Sequence, residues 1–308
     1  MADHDFIAGI PLVLGGNVFG WSSKGDEAFA VLDAFYEAGG RMIDTADVYS
    51  AWVPGHKGGE SEAEIGRWLE SRGVRDEMRL HTKTGMLGGS ELYEPATVLG
   101  SLDASLERLR TDRVDLYYAH KDYPELDIGQ IVEAFDGAVQ SGKAVAVGAS
   151  NFDAARLEAA LDQANKDGAA GFAALQNEYN LVARQAYGAD LQHLVADRGL
   201  AMLPFFGLAS GYLTGKYRTD EDFAKSVRGS RARQLAGTNG PAVIAAMDAV
   251  AAETGASLAA IALAWLVRQP GIPAPIASAR TKGQLDELLE FTRVELSDDQ
   301  LARLTAAA

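Results

Sequence analysis

The sequence contains no cysteine, which excludes disulfide bonds, thiolate metal sites and cysteine nucleophiles. Basic residues are also scarce, because 28 Lys and Arg stand against 43 Asp and Glu, and the net charge is -15. This charge argues against a nucleic-acid partner, since phosphate contacts need Lys and Arg. The longest apolar run, 259–267, is too short to cross a membrane, and no signal-peptide core follows the acidic start. We therefore expect a soluble cytoplasmic protein with no membrane partner.

Strand-like and helix-like segments alternate along all 308 residues. Short apolar runs predict eight strands, at 11–15, 42–44, 78–83, 114–119, 144–149, 172–176, 201–205 and 273–277. A helical pattern follows each strand, with start signals such as Pro95, Asp153 and a capping box formed by Ser61 and Glu64. This alternation implies parallel strands, and it predicts an α/β fold of the (β/α)8 TIM-barrel type with a single domain over 1–308. A doubly wound sheet is the competing architecture, but no GxGxxG follows the first strand.

Ionisable residues stand at or just beyond the ends of three predicted strands, where the chemistry of a barrel gathers. Asp44 ends the second strand with Tyr49 five residues later, Lys83 ends the third, and His120 follows the fourth. Because a buried carboxylate needs a partner, Lys83 is expected to pair with Asp44 and, through its charge, to lower the pKa of Tyr49. A histidine can hydrogen-bond a substrate oxygen. The set suits protonation of a carbonyl oxygen, and no covalent nucleophile or metal-ligand cluster is apparent.

Seven motifs, in register along nearly the whole chain, carry a resemblance to a known family. They are Asp44-Thr45-Ala46 with Tyr49, Gly59-Glu60-Ser61-Glu62, Thr82-Lys83, Asp115-Leu116 with His120, 148–152, Gln176-Asn177-Glu178-Tyr179-Asn180 and 208–217. In order and spacing these motifs resemble the signatures of the aldo-keto reductases. The resemblance implies a TIM-barrel carbonyl reductase that uses NADP(H) and acts on a small-molecule carbonyl or alcohol substrate.

The resemblance also implies roles for individual residues. It assigns the catalytic tetrad to Asp44, Tyr49, Lys83 and His120. It assigns cofactor binding to Ser150, Asn151 and Gln176 at the nicotinamide carboxamide, Phe205 on the nicotinamide ring, Leu208, Ser210, Gly211 and Leu213 along the pyrophosphate, and Ser278, Arg280, Gln284 and Glu287 at the adenosine end. The chain departs from the family pattern at Phe206-Gly207, where Ser-Pro is frequent, and at Leu288, where an Asn commonly contacts adenine.

Several aromatic and histidine residues admit two interpretations. Trp21, Trp52 and Tyr123 lie in predicted loops at the same mouth, where they either line an apolar substrate pocket or pack the loops. His81 shares a strand face with Lys83, and a hydrogen-bonded core histidine is favoured there over a second acid–base group.

A long irregular segment, 207–241, is typical of an active-site lid. Its basic residues, Arg228, Arg231 and Arg233, are either solvated or in contact with cofactor phosphates. Two function classes stay open at this point, an active reductase and a nicotinamide-binding regulatory subunit, because a fold alone does not fix a function. The tetrad favours the enzyme, and a monomer is the default oligomeric state.

Overall fold

The computed structural model describes residues 4–88, 90–225 and 229–308. Its centre is a sheet with strands β1 (Val13–Gly15), β2 (Met42–Asp44), β3 (Arg79–Thr84), β4 (Val114–Ala119), β5 (Ala144–Ser150), β6 (Phe172–Gln176), β7 (Ala201–Met202) and β8 (Ile276–Ala277). All pairings are parallel, and the order is β7-β6-β5-β4-β3-β2-β1-β8. Each strand therefore lies beside its sequence neighbour, and β8 returns to β1.

Backbone hydrogen bonds also link the two ends of this sheet. The Ile276 amide donates to the Pro204 carbonyl at 2.8 Å, and the Met202 amide donates to the Gly271 carbonyl at 2.8 Å. The strands β7 and β8 are shorter than the sequence predicts, because prolines at 204, 273 and 275 offer no amide hydrogen to a ladder. The sheet thus curls back on itself.

Helices surround the sheet. The described part of the chain forms α1 (Asp26–Glu37), α2 (Glu60–Arg72), α3 (Pro95–Leu109), α4 (Ile128–Gln140), α5 (Ala154–Asp167), α6 (Ala189–Arg198), α7 (Asp220–Ala224), α8 (Gly229–Ala236), α9 (Gly240–Thr254), α10 (Leu258–Leu266), α11 (Lys282–Leu289) and α12 (Asp298–Ala307). At least one helix follows every strand, and this confirms the predicted (β/α)8 barrel. The segment between β7 and α9 holds α7, α8 and a 3-10 turn at Ala209–Thr214, so it is more regular than the sequence indicates.

Side chains alternate between the two faces of each strand, and the two faces build separate cores. A small cluster fills the inside of the barrel and includes Val13, Met42, Leu116, Tyr118 and Ala174. A larger cluster, which includes residues of the opposite parity such as Ile43, packs the outer face of the sheet against the helices. The last inward-facing side chain of each strand therefore points to one mouth of the barrel.

The structure corrects one predicted helix start and confirms another. The prediction of a capping box at Ser61 is wrong, because α2 begins at Glu60 after Gly59, and no side chain caps this helix. Ser61 instead lies inside the first turn, where its hydroxyl donates to the Gly16 carbonyl at 2.7 Å. By contrast Asp153 does cap α5, since its carboxylate accepts from the Arg156 amide at 2.8 Å.

In the described residues, no single helix is long and apolar enough to cross a membrane. The helices α9 and α10 meet the length and composition criteria only as a pair, and they are bent by 100° at their junction.

Candidate active site

A buried charge pair stands at the barrel mouth. Asp44 ends β2 and Lys83 lies near the end of β3, and their side chains are 1% and 0% exposed. The Lys83 ammonium donates to Asp44 Oδ2 at 2.7 Å, to the Thr45 carbonyl at 2.8 Å and to the Tyr49 hydroxyl at 3.1 Å. Its three N–H donors are therefore all used.

The pair is balanced by charge and by further hydrogen bonds. Burial on its own lowers the pKa of Lys83, but Asp44 and then Tyr49 outweigh it, and the pKa is raised. The second oxygen of Asp44 accepts from the Gln176 side-chain amide at 2.9 Å. Lys83 therefore stays charged at neutral pH, and Asp44 is held by donors on both oxygens.

Tyr49 lies in the loop after β2, outside any strand or helix, and its ring is only partly exposed. Burial raises the pKa of Tyr49, and the opposing effect of Lys83 is smaller. The expectation of a lowered pKa is wrong as a net direction, because it counted the ammonium and left out the loss of water around the phenol. Tyr49 is therefore protonated at neutral pH, as a proton donor must be.

His120 lies beside Tyr49, with ring centroids 6.1 Å apart. Burial lowers its pKa well below the usual 6.5, and the nearby Lys83 charge adds to the effect. The imidazole is therefore neutral at neutral pH. Its Nδ1 is buried and has no hydrogen-bond partner in the described ranges. A neutral imidazole of this kind can donate one hydrogen bond to a substrate oxygen.

Ser150, Asn151 and Gln176 converge at the ends of β5 and β6. The Asn151 amide group donates to the Ser150 hydroxyl at 3.0 Å and to the His120 carbonyl at 2.9 Å. The Ser150 hydroxyl donates to the Gln176 carbonyl at 2.8 Å. Asn151 is exposed at φ 59°, a conformation that few residues other than glycine adopt readily. Asn177, to which the sequence assigns no role, accepts a hydrogen bond at its Oδ1 from the backbone amide of Asn151 at 2.8 Å.

The segment after β7 carries the next set of predicted cofactor residues. Phe205 is partly exposed, and its ring meets the Phe206 ring edge to face at 5.2 Å between centroids. Positive φ values recur at Phe206, Ala209, Ser210 and Gly211. Three of these four are not glycine, so the loop is held in a conformation of higher energy, which is frequent at ligand sites. Leu208 packs against the outer core, and Leu213 is buried in it.

The residues predicted at the adenosine end lie where β8 leads into α11. The Ser278 hydroxyl donates to Asn17 Oδ1 at 2.6 Å, and the Gln284 side chain accepts from the Arg280 amide at 2.9 Å. The Arg280 side chain is exposed, and no ion pair to it occurs within the described residues. Glu287 is exposed, whereas Leu288 is buried, with 4% of its surface exposed, and offers no polar group.

The predicted pocket residues separate into two groups. Trp52, which is 52% exposed, meets both Trp21 and Tyr49 edge to face, at 5.9 and 6.1 Å between centroids. Tyr123 is buried instead, with its ring against Tyr93 and its hydroxyl bonded to the Gly85 carbonyl. The structure therefore places Trp52 between Trp21 and Tyr49, and it places Tyr123 in the packing of its loop.

Two further predictions concern His81 and the arginines of the segment 207–241. His81 is fully buried and its Nε2 lies 2.9 Å from the Phe6 carbonyl, so it is a hydrogen-bonded core histidine. Arg231 pairs with Glu178 at 3.5 Å, and Arg233 pairs with Asp220 at 2.7 Å. Arg228 lies outside the described residues.

The chemistry of the predicted cofactor residues fits a nicotinamide dinucleotide. Amide and hydroxyl groups at the ends of β5 and β6 match a carboxamide, which both donates and accepts hydrogen bonds. A partly exposed aromatic ring follows β7, and a guanidinium beside the first turn of α11 suits a phosphate.

Comparison with known proteins agrees with this arrangement. Residues 11–308 match the model of the Aldo/keto reductase family. The chain is 32% identical to a norsolorinic acid reductase of Emericella nidulans, over 96% of this chain and 78% of that protein. It is 31% identical to an uncharacterized oxidoreductase of Bacillus subtilis, over 95% and 90%, and 30% identical to the aryl-alcohol dehydrogenase [NADP(+)] of Phanerodontia chrysosporium, over 92% and 76%. The chain belongs to the aldo/keto reductase family and is an oxidoreductase.

Proposed function

We propose that this protein reduces an aldehyde or ketone with NADPH and that Tyr49 donates the proton. The single observation that carries the proposal is the fully buried Lys83 ammonium, which lies 2.7 Å from Asp44 and 3.1 Å from the Tyr49 hydroxyl. An ammonium so placed stabilises the phenolate that forms when the proton leaves. Asp44 keeps that ammonium charged and fixed.

The substrate carbonyl oxygen would accept hydrogen bonds from Tyr49 and from the neutral imidazole of His120. Two donors aimed at an oxygen on which negative charge develops lower the barrier of the reaction. The nicotinamide, when bound, supplies the hydride to the carbonyl carbon. Ser150, Asn151 and Gln176 would hold its carboxamide and so orient the ring.

We further propose that the substrate is aromatic. Trp52 is exposed beside Trp21 and Tyr49, and an edge-to-face aromatic wall favours a flat ring. The name of one relative points the same way, since it is an aryl-alcohol dehydrogenase.

The decisive test is oxidation of NADPH, followed by its absorbance, with matched aromatic and aliphatic aldehydes. We expect turnover, with higher kcat/KM for the aromatic series. Tyr49→Phe should lower the rate by ~10²–10⁴, because that is the usual contribution of general acid catalysis. Tyr36→Phe is the control, since the Tyr36 hydroxyl bonds Glu77 on the surface. Measurable NADPH binding with no turnover on any aldehyde would favour a regulatory subunit and refute the proposal.

A further inference from the structure

The loop that carries Tyr49 is fastened to β3 through Asp47. Beyond the end of β2 the backbone continues to pair with β3, and the Asp47 amide donates to the Lys83 carbonyl at 3.2 Å. The Asp47 side chain adds a second attachment, because the Thr84 hydroxyl donates to its Oδ2 at 2.7 Å. Asp47 is thus bound through its main chain and its side chain to two consecutive residues, and one of them is Lys83.

Asp47 also lies in the turn that presents Tyr49. The Tyr49 amide donates to the Ala46 carbonyl at 3.1 Å, so Asp47 occupies the second position of a four-residue turn. Because Tyr49 lies outside every strand and helix, this short segment sets the distance from its hydroxyl to Lys83. A displacement of ~1 Å in a reacting group can lower a rate about 100-fold.

The surroundings of Asp47 are poor for a carboxylate. Its side chain is buried, and its Oδ1 has no hydrogen-bond partner in the part of the chain that the structure describes. Arg108 from α3 is the nearby cation, but its Nε already donates to Glu62 from α2 at 2.7 Å. The other titratable groups near Asp47 are the Glu62 carboxylate, whose negative charge also raises the pKa of Asp47, and the hydroxyls of Tyr93 and Tyr117. Burial is the main reason that the pKa of Asp47 is raised to about 6.

A neutral acceptor would bind the Thr84 hydroxyl with a smaller loss of hydration, so packing does not account for a carboxylate at this position. What a carboxylate adds is a charge-assisted hydrogen bond, which is roughly twice as strong as a neutral one. We propose that Asp47 is a positioning residue, which holds the loop of Tyr49 against Lys83 and Thr84. The proposal rests on the proposed role of Tyr49 as proton donor.

A matched control lies two residues earlier on β3. The Thr82 hydroxyl donates to Glu62 Oε1 at 2.6 Å, and both side chains are fully buried. Thr82 and Thr84 face the same side of the strand, and each binds a buried carboxylate. Only the partner of Thr84 belongs to the loop of Tyr49. A comparison of Thr84→Val with Thr82→Val therefore separates positioning from the burial of a hydroxyl.

The first experiment measures single-turnover reduction of 4-nitrobenzaldehyde by NADPH at pH 8, with NADPH affinity measured by fluorescence titration. We expect Thr84→Val to lower the rate about 10-fold, since a loosened loop shifts Tyr49 by less than a full ångström. The Kd for NADPH should be unchanged. Thr84→Ser, which keeps the hydroxyl, should restore the rate, and Thr82→Val should leave it unchanged.

The second experiment uses Asp47→Asn, which weakens the bond to Thr84 while it removes the buried charge. At pH 8 this variant should be slower than the wild type and yet more stable to heat, so a slower rate cannot be due to unfolding. In the Thr84→Val background, Asp47→Asn should have no further effect on the rate.

Equal rate losses in Thr84→Val and Thr82→Val would overturn the proposal, and so would a wild-type rate in Asp47→Asn. Failure of the proposed function gives a different result, because the wild type would then reduce no aldehyde, or Tyr49→Phe would keep the wild-type rate.

Discussion

Replacement of Lys83 by Met tests whether the Lys83 ammonium compensates the buried negative charge of Asp44. Methionine keeps the volume of the aliphatic stem and removes the ammonium, with its three hydrogen bonds to Asp44, Thr45 and Tyr49. Asp44 then keeps one donor, the amide of Gln176, and carries an uncompensated charge at 1% exposure.

The expected magnitude follows from that burial. Removal of one partner from a buried ion pair typically destabilises a protein by about 3–5 kcal/mol. The double variant Asp44→Asn/Lys83→Met removes both charges of this pair, so only neutral groups lose partners there, at about 1–3 kcal/mol. We therefore expect the double variant to be more stable than Lys83→Met alone, although both should lack activity.

Urea denaturation at neutral pH measures these differences. The pKa of Lys83 is raised above 10.5, so its stabilising contribution is complete below that value and is lost only as the pH rises through the higher folded-state pKa. Neutral pH therefore reports the full effect. The control is Lys282→Met, since Lys282 pairs with Asp286 on the surface and both side chains are more than half exposed. An exposed pair contributes about 0–1 kcal/mol.

Two results would refute the reasoning. The first is a Lys83→Met variant as stable as the Lys282→Met control, which would mean that water reaches Asp44. The second is a double variant that is no more stable than Lys83→Met, which would mean that the loss comes from packing and not from an unpaired charge.

Three other predictions concern the cofactor and pH. Arg280→Ala should raise the KM for NADPH and leave that for NADH nearly unchanged, because a guanidinium can bind two oxygens of the additional phosphate; equal effects in kinetic assays would contradict this role. His120 has a pKa well below the usual 6.5, so it should not titrate near that pH. The pH profiles of kcat for the wild type and for His120→Gln should therefore have the same shape around pH 6.5. The pKa of Asp47 is raised from 3.8 to about 6, so its contribution to stability is complete below 3.8 and is lost as the pH rises through about 6. Asp47→Asn should therefore gain about 3 kcal/mol over the wild type between acid pH and pH 8 in urea denaturation, and a difference independent of pH would contradict the raised pKa.

The sequence by itself determined the architecture and the place of Asp44 and Lys83 in it. Short apolar runs and helical patterns alternate eight times, and that alternation is a local property of the chain. The side chains of a strand alternate strictly between two faces, so Asp44 at the end of β2 and Lys83 near the end of β3 could be placed at one mouth. Proline likewise acts locally, and it explains why β7 and β8 are short.

Only the tertiary structure decided which partners these residues have. Ser61 could cap a helix by its sequence, but the fold brings its hydroxyl to Gly16, 45 positions away. The direction of the pKa of Tyr49 depends on how much water the surrounding loops exclude, and no local pattern contains that information. The residues around Asp47 do not predict its proposed positioning role, because that role depends on the hydrogen bond from Thr84, 37 positions further along the chain. Contacts between residues distant in sequence, and the burial that they produce, are properties of the closed barrel and not of any segment within it.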